Sequence, residues 1–203
     1  NPMDWQANFV FSFNLLTLSQ ERTIYVGVPV TGQYSIDIYT KNGAINVSNM
    51  DNIHTIDAST LNGSIYFNQV KDLTSLDANS ANGTISVLGT TVTGKMDVST
   101  SNGSIHIGND SSASSVYATT SNGTIDVSET IADDYDLVSS NGSVELTAYG
   151  LVEDYYITLH TNLGSTYLNG SKTSTRTYGN SSLPKRINMK TSNGDVRLTV
   201  ANV

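Results

Sequence analysis

The chain has 203 residues, a net charge of −8, 14% charged residues and no cysteine. That length suits one domain or one repeat array; the missing cysteines exclude disulfides and thiolate metal sites, and the acidic balance argues against nucleic acid. No apolar run reaches the roughly 20 residues of a membrane-spanning helix, so direct membrane insertion of this segment is not expected, and any secretory leader is expected to have been removed already.

Residues 1–35 carry no repeat but hold two strand-like runs, FVFSFNLLTL and TIYVGVPV. They read as an N-terminal β cap that shields the first sheet edge. From residue 36 to 203 the sequence returns to one corner: Asn42-Gly43, Asn62-Gly63, Asn82-Gly83, Asn102-Gly103, Asn122-Gly123, Asn141-Gly142 and Asn193-Gly194, with Leu163-Gly164 as the variant. The intervals between these glycines are 20, 20, 20, 20, 19, 22 and 30 residues. Six places before the residue preceding each glycine stand Ile36, Ile56, Leu76, Met96, Val116, Tyr135, Ile157 and Ile187. After the corner come Ile45, Ile65, Ile85, Ile105, Ile125, Val144 and Val196. Apolar residues alternate on both arms, so each unit reads as strand, corner, strand. The corner is expected to need glycine for a positive φ, which asparagine also tolerates.

Asn-Gly between alternating strands also fits an antiparallel hairpin meander. The recurrence of one residue type in one column decides for stacking. Thr or Ser stands two places before each Asn, and in a solenoid such copies lie about 4.8 Å apart and can hydrogen-bond to one another. The expected fold class is all-β: a parallel β-helix, or solenoid, of about eight rungs, each unit on the one before. The whole forms one structural domain, a rod about 40 Å long. The Thr and Asn columns share the parity of the core and are expected to point inward.

The recurring S-x-N-G-[ST]-[IV]-x-[VIL] unit, over about residues 24–201, resembles the β-strand repeats of a bacterial and archaeal adhesin-like family. The resemblance implies a right-handed β-helix on a secreted or membrane-anchored protein, linked to adhesion or envelope-stress sensing. It brings no catalytic residues with it. The Leu163 unit and the 30-residue last interval depart from its pattern.

Candidate chemistry is sparse. An outward column holds Asp37, Asp57, Asp77, Asp97 and Asp136, interrupted by Tyr117. The first four are weak calcium candidates, because Ca²⁺ asks for six to eight oxygens around one point. His54, His106 and His160 fall at different rung positions and do not converge. The pairs Asp133-Asp134 and Glu153-Asp154 sit in loops beside Tyr135, Tyr155 and Tyr156; carboxylates with tyrosines can form a sugar-binding lip or a glycosidase site. Five corner asparagines also match the glycosylation sequon, and if inward they cannot carry a glycan.

Charge is distributed unevenly. Residues 1–168 hold 17 acids against 4 bases, net −13, while residues 169–203 hold 6 bases against 1 acid, net +5. The basic end includes an inserted loop at 169–186 with Lys172, Arg176, Tyr178, Lys185 and Arg186, which read as partner-binding candidates. The final run VRLTVANV simply stops, suggesting a fragment of a longer protein or an end that meets another molecule.

The functional expectation is a non-enzymatic, adhesin-like module on the outside of the cell: an acidic rod with a basic terminal loop and no cofactor. Its partner would be a cell-surface glycan or an envelope protein, with end-to-end self-association as a further option. The alternative is a carbohydrate-active β-helix enzyme, a polysaccharide lyase or hydrolase. Ice binding ranks third, because the Thr column has the parity of the core.

Overall fold

The computed structural model describes residues 9–13 and 33–201. Eight rungs stack in parallel, named here in chain order: rung 1 (34–50), rung 2 (53–70), rung 3 (75–88), rung 4 (95–108), rung 5 (115–127), rung 6 (134–149), rung 7 (155–168) and rung 8 (185–201). Their first arms pair into one sheet and their second arms into another. On the third side Ser111–Ser112 pairs with Thr130–Ile131, and isolated bridges join Leu73 to Val92 and Thr91 to Ser112. The solenoid expected from the column pattern is what forms, an all-β stack of parallel coils.

Inward positions make continuous columns. One runs Ile56, Leu76, Met96, Val116, Tyr135, Ile187 and Ile157, another Ile65, Ile85, Ile105, Ile125, Val144 and Val196; all are at most 1% exposed. Each rung buries its apolar face only through its neighbours, so stability belongs to the stack. Two tyrosines enter this core because their hydroxyls are satisfied. Tyr135 donates to the Thr130 carbonyl at 2.8 Å and accepts from the Ala132 amide at 2.9 Å, and Tyr155 donates to the Tyr149 carbonyl at 2.8 Å.

The stacking order departs from chain order at one end. Rungs 1 to 6 follow one another, but rung 8 lies between rungs 6 and 7 in both sheets. Ile187 pairs with Tyr135 on one side and with Ile157 on the other, while Val196 pairs with Val144 and Thr166. The link from rung 6 to rung 7, through the 3₁₀ turn Val152–Asp154, therefore steps over a slot that rung 8 fills. VRLTVANV supplies an interior strand, Val196–Ala201, instead of the last edge of the stack.

The inserted segment 169–186 covers that last edge. Ser171–Thr173 runs antiparallel to Thr166–Leu168, and Thr177–Tyr178 runs antiparallel to the first arm of rung 7. Antiparallel strands laid across a parallel stack end the ladder and block further pairing. At the opposite edge Phe9–Phe13 pairs in parallel with the first arm of rung 1. The second run read as part of the cap, TIYVGVPV, lies outside the described residues.

The corners qualify one expectation and correct another. Gly142, Gly164 and Gly194 have the expected positive φ, at 149°, 158° and 153°, whereas Gly43, Gly63, Gly83, Gly103 and Gly123 do not; at the last four of these, glycine is required by close approach. A Cβ on Gly83 would stand 1.9 Å from the Gly63 carbonyl oxygen, and one on Gly103 would stand 2.1 Å from that of Gly83. The Thr/Ser column points inward as expected, and its role is specific. Thr60, Ser80, Thr100, Thr120, Ser139 and Thr191 each donate to the corner glycine carbonyl of the adjoining rung, at 2.8–3.2 Å. The hydroxyl thereby satisfies an acceptor that bends out of the ladder.

The asparagines point outward. Their amides form an exposed ladder in which Asn62 donates to Asn42, Asn82 to Asn62, Asn102 to Asn82, Asn122 to Asn102, Asn141 to Asn122 and Asn193 to Asn141, at 2.6–2.9 Å. They do bond to their own copies, but on the surface, because the chain reverses its facing at the corner. Leu163 pairs with Asn193 on the last rung in space, 72% exposed. The sequence exception marks the place where the ladder stops.

Candidate functional site

The outer face of the first sheet carries the aspartate column in register: Asp37, Asp57, Asp77 and Asp97, then Tyr117, Asp136, Asn188 and Thr158. Partial burial, and next the carboxylates on adjoining rungs, push the Asp57 and Asp77 carboxyls above the usual value of 3.8. Lys95 closes the run by bridging Asp97 at 2.5 Å and lying 4.4 Å above the Tyr117 ring. One carboxylate per rung makes a line and surrounds no point. Among the described residues no three His, Asp or Glu side chains gather as a metal site.

The basic residues of the last segment are spread over the far end, and several are engaged within the chain. Lys185 reaches Asp133 at 3.5 Å and lies 5.5 Å from the Tyr155 ring. Arg197 bridges Glu145 at 3.5 Å and Asp195 at 2.5 Å and stacks 4.4 Å over Tyr167. The strands of rung 8 are thus basic where rung 6 is acidic and rung 7 aromatic, a match that favours their insertion between those two. Arg176 donates to His160 Nδ1 at 3.0 Å, which leaves the ring proton on Nε2 to be donated to Asn162 Oδ1 at 3.0 Å. The Tyr178 hydroxyl bonds that of Thr173 at 2.7 Å inside the capping hairpin, and Lys172 pairs across that hairpin with Tyr167.

Where rungs 5, 6, 8 and 7 adjoin, the first sheet's outer face forms an open furrow of about 300 Å³. Two columns build it. One runs Ser115, Asp134, Arg186, Tyr156 and the other Tyr117, Asp136, Asn188, Thr158. The second column is tied laterally: Thr158 Oγ1 donates to Asn188 Oδ1 at 2.8 Å, and Asn188 Nδ2 donates to Asp136 Oδ1 at 2.7 Å. Asp134 is pushed above the usual carboxylate value by burial and by Asp136, with Arg186 opposing. Arg186 is exposed, and its guanidinium makes no hydrogen bond or ion pair among the described residues. Its backbone N–H donates to the Asp133 carbonyl at 2.9 Å.

Of the acidic pairs and neighbouring tyrosines read as a sugar-binding lip, Asp134 and Tyr156 meet in this furrow, and Asp136 and Tyr117 join them from the outward column. Tyr135 and Tyr155 face the core. Asp154 instead accepts from the Leu151 amide at 2.9 Å, fixing the step over the slot.

The comparison with known families fits this architecture. The Toastrack DUF4097 family model matches residues 4–199. The chain belongs to the Toastrack DUF4097 family. No curated protein and no solved structure matches it.

In this Toastrack chain the furrow joins residues that sequence spacing keeps apart. Tyr117 and Tyr156 are 39 positions apart in the numbering, and Arg186 and Asn188 arrive from rung 8. Counting columns in chain order places rung 7 next to rung 6 and hides the contact. The signal that could have revealed it is the charge reversal of residues 169–203, which has its complement on rung 6.

Proposed function

We propose that this Toastrack solenoid is a non-enzymatic binding module of the cell envelope, displayed outside the cell as a stiff acidic rod with an adhesin-like role. The observation that carries the reading is the furrow: two outward tyrosines flanking Asp134, Asp136, Arg186 and Asn188 on a sheet held rigid by in-register ladders. A rigid scaffold that presents aromatic faces beside hydrogen-bonding groups is organised for recognition, with little ordering cost on binding. The partner is an envelope glycan or an envelope protein.

A second reading, polysaccharide hydrolysis, draws on Asp134 and Asp136. They stand two residues apart on one strand and one face, and the Asp134 carboxyl is held above its usual value, a pattern that serves acid–base pairs. One experiment separates the readings. Purified protein is incubated with intact cells and isolated envelopes of its host; bound protein is quantified and released reducing ends are assayed. Binding without new reducing ends supports the module, release of sugar ends supports the hydrolase, and absence of envelope binding overturns the surface role. Protease accessibility on intact cells tests the location directly.

A further inference from the structure

We infer that the furrow takes a neutral, hydroxyl-rich glycan segment lying obliquely across rungs 5, 6, 8 and 7; the inference rests on the binding-module reading above and specifies its ligand. Tyr117 and Tyr156 stand at opposite corners of the two-column patch, three strand spacings and two residues apart. With ~4.8 Å between strands and ~3.3 Å per residue, that diagonal is about 16 Å, room for several pyranose rings end to end. Aromatic rings at both ends offer faces for the apolar C–H surfaces of sugars; both tyrosines are only half-buried, and Tyr117 has one face under the Lys95 ammonium and the other to offer.

Between the rings the polar groups suit hydroxyls. Asp134 and Asp136 accept, the unpaired Arg186 guanidinium donates in a planar fork, and Asn188 is held by Thr158 and Asp136. Charge selects among glycans. The furrow holds two carboxylates against one guanidinium, within a protein of net charge −8, so a uronic-acid polymer or nucleic acid meets repulsion while a neutral chain meets none. Of the basic end, Lys185 and Arg197 are paired to acids, and Lys190, exposed on the same face two residues beyond Asn188, lies outside the furrow's lining.

The test is calorimetric titration at pH 7 with neutral tetrasaccharides of glucose, mannose and xylose, and with tetragalacturonate as the anionic probe. At least one neutral probe is expected to bind, tetragalacturonate at least tenfold more weakly. Tyr117→Ala and Tyr156→Ala are each expected to weaken the neutral probe by about tenfold, with unchanged melting temperature because neither ring enters the core. Tyr156→Phe is expected to retain most of the affinity, since the ring face is kept. Lys71→Ala, exposed between rungs 2 and 3 and far from the furrow, is expected to leave it unchanged. Equal or tighter binding of tetragalacturonate, indifference to both alanine substitutions, or no binding of any neutral probe would overturn the inference. Envelope binding that persists when no oligosaccharide binds sinks this inference alone and points to a protein partner. Loss of envelope binding as well sinks the module reading beneath it.

Discussion

Gly83→Ala and Gly43→Ala place the same methyl group at the same corner of two rungs, and the structure gives them different outcomes. The Cβ at residue 83 would lie 1.9 Å from the Gly63 carbonyl oxygen, whereas among the described residues the nearest atom to a Cβ at residue 43 is Thr40 Oγ1 at 3.4 Å, an ordinary contact. To restore such a contact at residue 83, rungs 2 and 3 must separate by about 1.5 Å, the difference between those two distances. Three hydrogen bonds close that corner: Gly63 N–H to Asn82 and Ile65 N–H to Thr84 at 3.0 Å, and Ser80 Oγ to Gly63 at 2.8 Å. Opening the corner by that amount forfeits them, at ~1 kcal/mol net each, so Gly83→Ala is expected to cost about 3 kcal/mol. For a chain of this size that is a fall of ~6–12 °C in melting temperature. Gly43→Ala, with no neighbour below it among the described residues and no left-handed φ, is expected to be neutral or stabilising by a few tenths of a kcal/mol through the unfolded chain. Thermal melts followed by far-UV circular dichroism read both. Equal melting temperatures for the two variants would refute close approach as the reason for glycine.

Three further outcomes follow from the same geometry. Truncation after Pro184 removes rung 8, whose Ile187, Met189, Val196 and Leu198 are each at most 1% exposed; their burial is worth ~6–12 kcal/mol, comparable to the stability of a whole domain. The truncated chain is expected to show no cooperative melt, and a transition within a few degrees of the parent would contradict the order of the stack. Leu163→Asn puts an amide against Asn193 on the last rung and is expected to raise stability by ~0.5–1 kcal/mol, read by urea midpoint at constant slope; an unchanged midpoint would deny the ladder an energetic role. Asp57→Asn and Asp77→Asn are expected to stabilise at pH 7 by no more than ~1 kcal/mol. Both carboxyls have folded values above 3.8, so folding favours their protonated form, and stability is lost as pH rises through the raised values. The advantage of asparagine should fade as pH falls below about 4, where aspartate is neutral in both states; a gain that persists there would point to a cause other than charge.

Much of the fold was legible because a parallel stack writes its register into the sequence. Ile65, Ile85, Ile105 and Ile125 occupy one column because their Cα atoms pair across successive strands, and each must present the same face to the core. Two features were not legible, for physical reasons. Periodicity says that units stack but not in what order, so the position of rung 8 was hidden while its basic residues, placed to meet Asp133 and Glu145, looked like a surface for a partner. Parity along a strand does not survive the corner, so Asn42 and its copies were assigned to the interior when they stand outside it. The furrow depends on the first of these. Arg186 and Asn188 reach Asp134 and Asp136 only because the last unit returns to the sixth.

The order of the rungs also governs how the molecule can be assembled and altered. Residues 155–168 leave the ribosome before residues 185–201, so the end of the rod exists before the keystone that joins it to the rest, and closure waits for a segment made later. A further coil duplicated among the first six would lengthen the rod and preserve the join; one added after residue 149 would separate the furrow's two halves.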